Sequence, residues 1–249
     1  MQVNKVNSLY LAWQGPTRAW YPIGLLEADS GRDHYVFQYT QGVLRAKKEG
    51  GFEPLLSFPD LRTRYESERL FPLFKNRVLN FHRRDFEEYL QSLDLDPEHP
   101  DPVEILAITG GERQTDNLEV FPKIVKNSDN RFQSRFFLHG LRHVSEIGQH
   151  RGMMLEPGDN LQVSIEMNNP ATGLAIQLST KDYMFVGWAP RYLVGDILSA
   201  CGKSTDVNAR VVRVNDASVP IDRRVLVEFS GQFPNSVDPM SEQDFQVIH

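Results

Sequence analysis

Two strings in this 249-residue chain invite a phosphate-transfer reading. The first is CGKST (201–205), because Gly-Lys-Ser/Thr cradles nucleotide phosphates with backbone N–H groups, a lysine and a hydroxyl. That motif needs a glycine five residues before Gly202, and the position holds Ile197. It also needs a strand before and a helix after, whereas 189–200 reads as a helix and 207–215 as a strand. An ordinary helix-to-strand turn accounts for it. The second, His82-Arg83-Arg84-Asp85, is similar to a kinase catalytic loop, but no glycine-rich loop, lysine strand or Asp-Phe-Gly accompanies it. A helix start with exposed charges is the simpler account. Of the seven histidines, only His139, His143 and His150 lie close together. The i, i+4 spacing of His139 and His143 suits a metal on a helix, yet this stretch reads as a strand end. The carboxylates of 94–101 are separated by prolines, as in a solvated linker. No catalytic residue, metal site or cofactor is therefore expected, and the chain is read as a binding protein rather than an enzyme.

Bulk properties narrow the class of partner. The chain is 40% hydrophobic and 24% charged, an ordinary globular balance. No apolar stretch approaches membrane-spanning length, and the start lacks the apolar core of a secretory signal. One cysteine, Cys201, leaves no internal disulfide, so a reducing cytoplasm is expected. The net charge of −6 opposes phosphate binding, but it is spread unevenly. Residues 1–129 carry 16 basic against 20 acidic side chains, 130–234 carry 11 against 10, and the last fifteen carry none against 3. The middle segment, near neutral and rich in arginine, suits a small focused site for a few phosphates. Arg142 stands out there, beside a Gly-Leu pair and with no evident carboxylate partner in sequence.

The elements that must position such a site read as follows. Residues 8–13 and 20–27, either side of a Gly15-Pro16 turn, and the alternating 34–39 read as strands of an antiparallel meander. Residues 50–65 are irregular, broken by Pro54 and Pro59. Helical spacing recurs over 68–79 and 83–93, and Asp101-Pro102 starts a short helix that Gly110-Gly111 stops before a strand at 118–121. The polar run 126–131 marks a boundary. Beyond it, strands are expected at 136–144, 160–168, 173–178, 183–188, 207–215 and 224–229, with one helix at 189–200. The expectation is an α+β first domain (1–125), a mostly β small-barrel domain (126–234) and a mobile acidic tail (235–249).

The second half resembles the HIRAN domain over roughly 131–232. The resemblance rests on FFLHGLRHV (136–144), LEPGDNLQVSIEMNNPATGLAIQL (155–178), VGWAPRYL (186–193) and VLVEFSG (225–231), in the family's order. It implies a barrel that captures single-stranded DNA at a 3′ end, by stacking a base and holding the terminal hydroxyl and nearby phosphates. On this chain the implied contacts are Arg142, His143, Trp188, Arg191 and Phe229, arginines on phosphates and rings on bases. Thr172 stands where the family has an aspartate for the terminal hydroxyl, and Leu174 replaces a common asparagine. The same rings, Trp188 and Phe229, read equally as barrel core. The first half, over about 8–122, resembles the N-terminal subdomain of HipA-type toxin kinases through SLYLAW, IGLLE (23–27), YVFQY (35–39), ERLFPLFKNRVLN (68–80) and DPVEILAITGGERQTDNLEVFP (101–122). The family's Gly-Ala is here Thr115-Asp116, and the kinase lobes are missing. This resemblance implies a unit that docks a partner protein. Together the two halves point to a DNA-binding protein of a bacterial defence or DNA-processing assembly. The alternative is an antitoxin-like regulatory subunit that touches no nucleic acid.

Overall fold

The computed structural model describes residues 6–201 and 207–249, apart from Ser30, Arg32 and Gln114. The phosphate-loop string from Gly202 to Thr205 lies outside the described residues. The fold is α+β, with two antiparallel sheets and few helices. It divides into two compact units, one holding the chain up to Leu90, Asp96–Lys123 and Met240–His249, the other Gln91–Leu95 and Ile124–Pro239.

The first unit is built on strands β1 (Ser8–Gln14), β2 (Trp20–Asp29), β3 (His34–Tyr39), β4 (Tyr65–Ser67) and β5 (Leu118–Pro122), in the order β4-β3-β2-β1-β5. A short helix α1 (Gly42–Arg45) runs on as a π-helical turn through Gly50, which sequence patterning missed. Burial follows the alternation only in part, since β5 is buried throughout. Leu11, Ile23, Phe37, Phe58, Phe74 and Leu106 form the sealed centre. Phe37 stacks on Phe58 at 4.0 Å between ring centroids. Tyr39 ties down the irregular 50–65 segment, donating to the Phe58 carbonyl at 2.8 Å and accepting from the Leu55 amide at 2.9 Å. Burial pushes its hydroxyl pKa up to about 12.

The helix expected over 68–79 is a single turn, α2 (Pro72–Lys75). Pro72 sets its start, because the residue before proline avoids helical geometry and Phe71 is extended at ψ 142°. Helix α3 (Phe86–Ser92) follows, then α4 (Pro102–Thr109), whose Asp101 cap accepts from the Val103 amide at 2.8 Å. The acidic tail, expected to be mobile, is corrected over its last ten residues. Ile248 donates to the Tyr39 carbonyl at 2.9 Å and Gln41 to that of Gln246 at 2.7 Å. Asp244 pairs with Arg45, and Phe245 meets Tyr10 edge-on at 4.9 Å. Met240, Phe245 and Ile248 supply apolar surface that offsets the tail's charge.

The second unit holds β6 (Arg131–Phe137), helix α5 (Glu146–Met153), β7 (Asn160–Asn169), β8 (Gly173–Ser179), β9 (Phe185–Trp188), helix α6 (Val194–Cys201), β10 (Asn208–Val214) and β11 (Val225–Gln232). Their order is β6-β11-β10-β7-β8-β9, antiparallel throughout. The chain just past β6 makes one isolated bridge to the end of β9. His139, just past β6, exchanges both backbone hydrogen bonds with Trp188 at the end of β9, at 2.9 and 3.1 Å. The strand expected over 136–144 instead starts at Arg131 and ends at Phe137, where the run Arg131–Arg135 alternates outward and inward. Helix α5 carries no apolar stripe to betray it. Its glycines face inward, and a Cβ on Gly148 would fall 2.6 Å from the Phe185 carbonyl oxygen. The helix expected at 189–200 begins only at Val194, after an extended Pro190 and a 3₁₀ turn at Arg191–Leu193.

Candidate nucleic-acid interface

The proposed contacts converge on the seam where β6 and β9 meet. Beyond His139 the chain needs a left-handed residue to leave the sheet, and Gly140 supplies it at φ +71°. The 3₁₀ turn Leu141–His143 follows. Arg142 and His143 thus sit on a turn and not on the strand expected there. Both are exposed, and among the described residues Arg142 pairs with no carboxylate. Leu141 is buried and anchors the turn.

Trp188 lies directly against this turn, its ring covering Gly140. It is half-buried, with Phe185 edge-on at 4.5 Å. Its Nε1–H donates to Glu166 Oε2 at 2.7 Å, and the Asn169 amide donates to the same oxygen at 2.9 Å. Hydrogen bonds from Asn169 and Trp188 hold the Glu166 carboxyl below its ordinary range. Asn169 in turn closes the β7–β8 turn, its Oδ1 accepting from the Ala171 amide and from the Thr172 amide and hydroxyl at 3.0–3.1 Å. Thr172 is exposed, one turn removed from the indole, with its hydroxyl hydrogen already engaged. Arg191 is exposed just after β9, and its charge is felt at His139.

Four of the six expected residues therefore lie around one seam, and Thr172, in the β7–β8 turn, is linked to it through Asn169 and Glu166. Phe229 does not belong to it. It is 0% exposed, paired across the sheet with Ala209 and Ser134, and its ring lies 6.1 Å from that of Phe132 and 6.4 Å from that of Phe136. The expected stacking role for Phe229 is corrected to a core role, because its position in β11 faces the core of the unit. Sequence reasoning missed Glu166 and Asn169, whose signal was only their place in the resemblance segment. It also missed Tyr183, an aromatic held at φ +61° and 80% exposed in the β8–β9 turn.

His139 adds a pH dependence. Burial, and then the charge of Arg191, lower its pKa to about 4, against the opposing pull of Asp222. Between an unfolded value of about 6.5 and that native one, the unfolded chain takes up a proton which the native seam refuses. Stability is complete above this window and falls as pH drops through it, by up to about 3 kcal/mol. Urea midpoints at about pH 7 and about pH 4.5 should show the loss, and His139→Gln should reduce it. Equal pH dependence in both proteins would remove His139 as the cause.

No family model matches the chain, and no curated protein does. Among solved structures, a Lactobacillus plantarum protein aligns with 41% of this chain and 99% of its own, at 14% identity and a TM-score of 0.33. A likeness that slight carries no argument. Among the described residues, no helix is long and apolar enough to cross a membrane.

Proposed function

We propose that the second unit is a small HIRAN-like barrel that binds single-stranded or distorted DNA at its β6–β9 seam, in a cytoplasmic bacterial protein without enzymatic activity. One observation carries the reading. An exposed arginine without a carboxylate partner among the described residues, Arg142, stands on the turn that packs against a partly exposed tryptophan whose orientation Glu166 holds. Arg142 and Arg191 meet phosphates, while His143 and the free part of Trp188 meet a base. Thr172 lines the side where a strand end would lie. Base-on-aromatic stacking contributes about 1–3 kcal/mol per base. With Phe229 withdrawn, one or two rings remain, and affinity in the micromolar range or weaker follows. The first unit docks a partner protein in a defence or DNA-processing assembly.

The test is a titration of the full chain with a fluorescent single-stranded oligonucleotide, 3′ end free or blocked, at about 50 and about 200 mM salt. Binding should weaken with salt. Arg142→Ala should weaken it for every sequence and lower the salt slope by about one. A preference for the free end would show that Thr172 serves in place of a carboxylate. The burial of Phe229 and the charge of −6 favour a second reading, a regulatory subunit that contacts protein only. An absence of binding at low salt would establish that reading over the first.

A further inference from the structure

A recess of about 220 Å³ lies between α5 and the turn that carries Arg142. Leu141, Met153 and Ile221 give it apolar walls, and Glu146, Gln149, His150 and Arg224 give it polar ones. It is smaller than the ~300–1,000 Å³ of pockets for drug-sized ligands, and suits one flat ring system. Its frame is held in place. Ser145 caps α5 by accepting from the Gly148 amide at 3.2 Å, which fixes the first turn where Glu146 stands. Gln149 donates to the Val144 carbonyl at 2.9 Å. Arg224 donates to the Val219 and Ala217 carbonyls, holding the loop that brings Ile221 over the recess.

Two acceptors are left unused there. Among the described residues the Glu146 carboxylate makes no hydrogen bond or ion pair, and nothing donates to the Gln149 side-chain oxygen. A recess with mixed apolar and polar walls and two unused acceptors, one of them a carboxylate, suits a heterocycle that presents N–H groups.

We propose that this recess is a base pocket selecting cytosine over thymine, with Glu146 accepting from the cytosine amine. The proposal rests on the nucleic-acid reading of the neighbouring seam and adds to it a sequence preference. Cytosine offers two donor hydrogens on N4, whereas the one ring donor of an unpaired thymine, N3–H, is flanked by O2 and O4, so thymine would set a carbonyl oxygen against one of the two acceptors. The Arg142 turn shares Leu141 with the recess, so a strand whose phosphate meets Arg142 passes its mouth.

The experiment compares short oligo(dC) and oligo(dT) on the full chain, at mildly alkaline pH where cytosine stays neutral. Wild type should bind oligo(dC) about tenfold more tightly. Glu146→Gln, whose amide both donates and accepts, should erase that preference while retaining or improving oligo(dT) binding, which also shows that the variant is folded. Equal affinities in wild type, or a preference that survives in Glu146→Gln, would overturn the pocket while leaving the seam proposal standing. Binding of neither oligonucleotide would overturn both.

Discussion

Replacing Arg77 by alanine is expected to destabilise the first unit by about 3–5 kcal/mol, the cost of breaking a buried ion pair by removing one partner. Its side chain is 1% exposed, and Nη2 donates to Asp116 at 2.6 Å. Nη1 donates to the Gly111 carbonyl at 2.9 Å and, more weakly, to that of Leu118 at 3.4 Å. The guanidinium thus joins the chain after α2 to the loop between α4 and β5. Removing it leaves two carbonyls and a carboxylate without their donor, and opens a cavity against the close-packed Cα of Gly111. Arg77→Lys keeps the charge but cannot reach three acceptors with one ammonium, so an intermediate loss is expected. Asp116→Asn should cost less than Arg77→Ala, because Asp116 is 30% exposed. Urea unfolding of the full chain measures all three. A loss below about 1 kcal/mol for Arg77→Ala would place this pair among the weak surface kind.

The second large effect is expected at Gly140. A Cβ there would fall 2.5 and 2.6 Å from two carbons of the Trp188 ring. The backbone is also left-handed, which costs a non-glycine residue about 1–2 kcal/mol. Overpacking adds about 1–3 kcal/mol if the ring stays. If the ring moves, the Nε1–Glu166 bond and the His139–Trp188 bridge are strained together. Gly140→Ala should therefore lower the unfolding midpoint, shift Trp188 fluorescence towards a wetter environment, and reduce oligonucleotide binding more than Arg142→Ala does. Unchanged fluorescence and midpoint would mean that the seam tolerates a displaced indole and that Trp188 is not held by close contact with the turn.

The parts of this fold legible in the residues are those governed by neighbours in the chain. Strands β1 to β3 show in their runs of apolar and aromatic residues between turns, and α4 shows both its ends, a proline start under an aspartate cap and a left-handed Gly110 stop. What escaped reading was set at a distance. Helix α5 has glycines where a pattern search wants leucines, since close approach to β9 replaces side-chain volume. β4 has three residues and is a strand only because β3 lies beside it. Asp116, a polar loop residue in the sequence, is tied to Arg77, 39 residues away.

At the candidate site the division is sharper. Residue type alone determined that the basic side chains of 130–234 are mostly arginines and that Arg142 has no evident carboxylate partner in sequence, while the turn at 140–143, expected as strand, came only with the tertiary structure. Only the tertiary structure decided which way each ring faces. Phe229 and Trp188 both lie in strands, yet one is sealed and the other partly exposed. The reason is position in the sheet. The inner face of β11 packs into core, while β9 ends at the seam, where a carboxylate 22 residues earlier in the chain draws the indole N–H aside and leaves part of the ring outside.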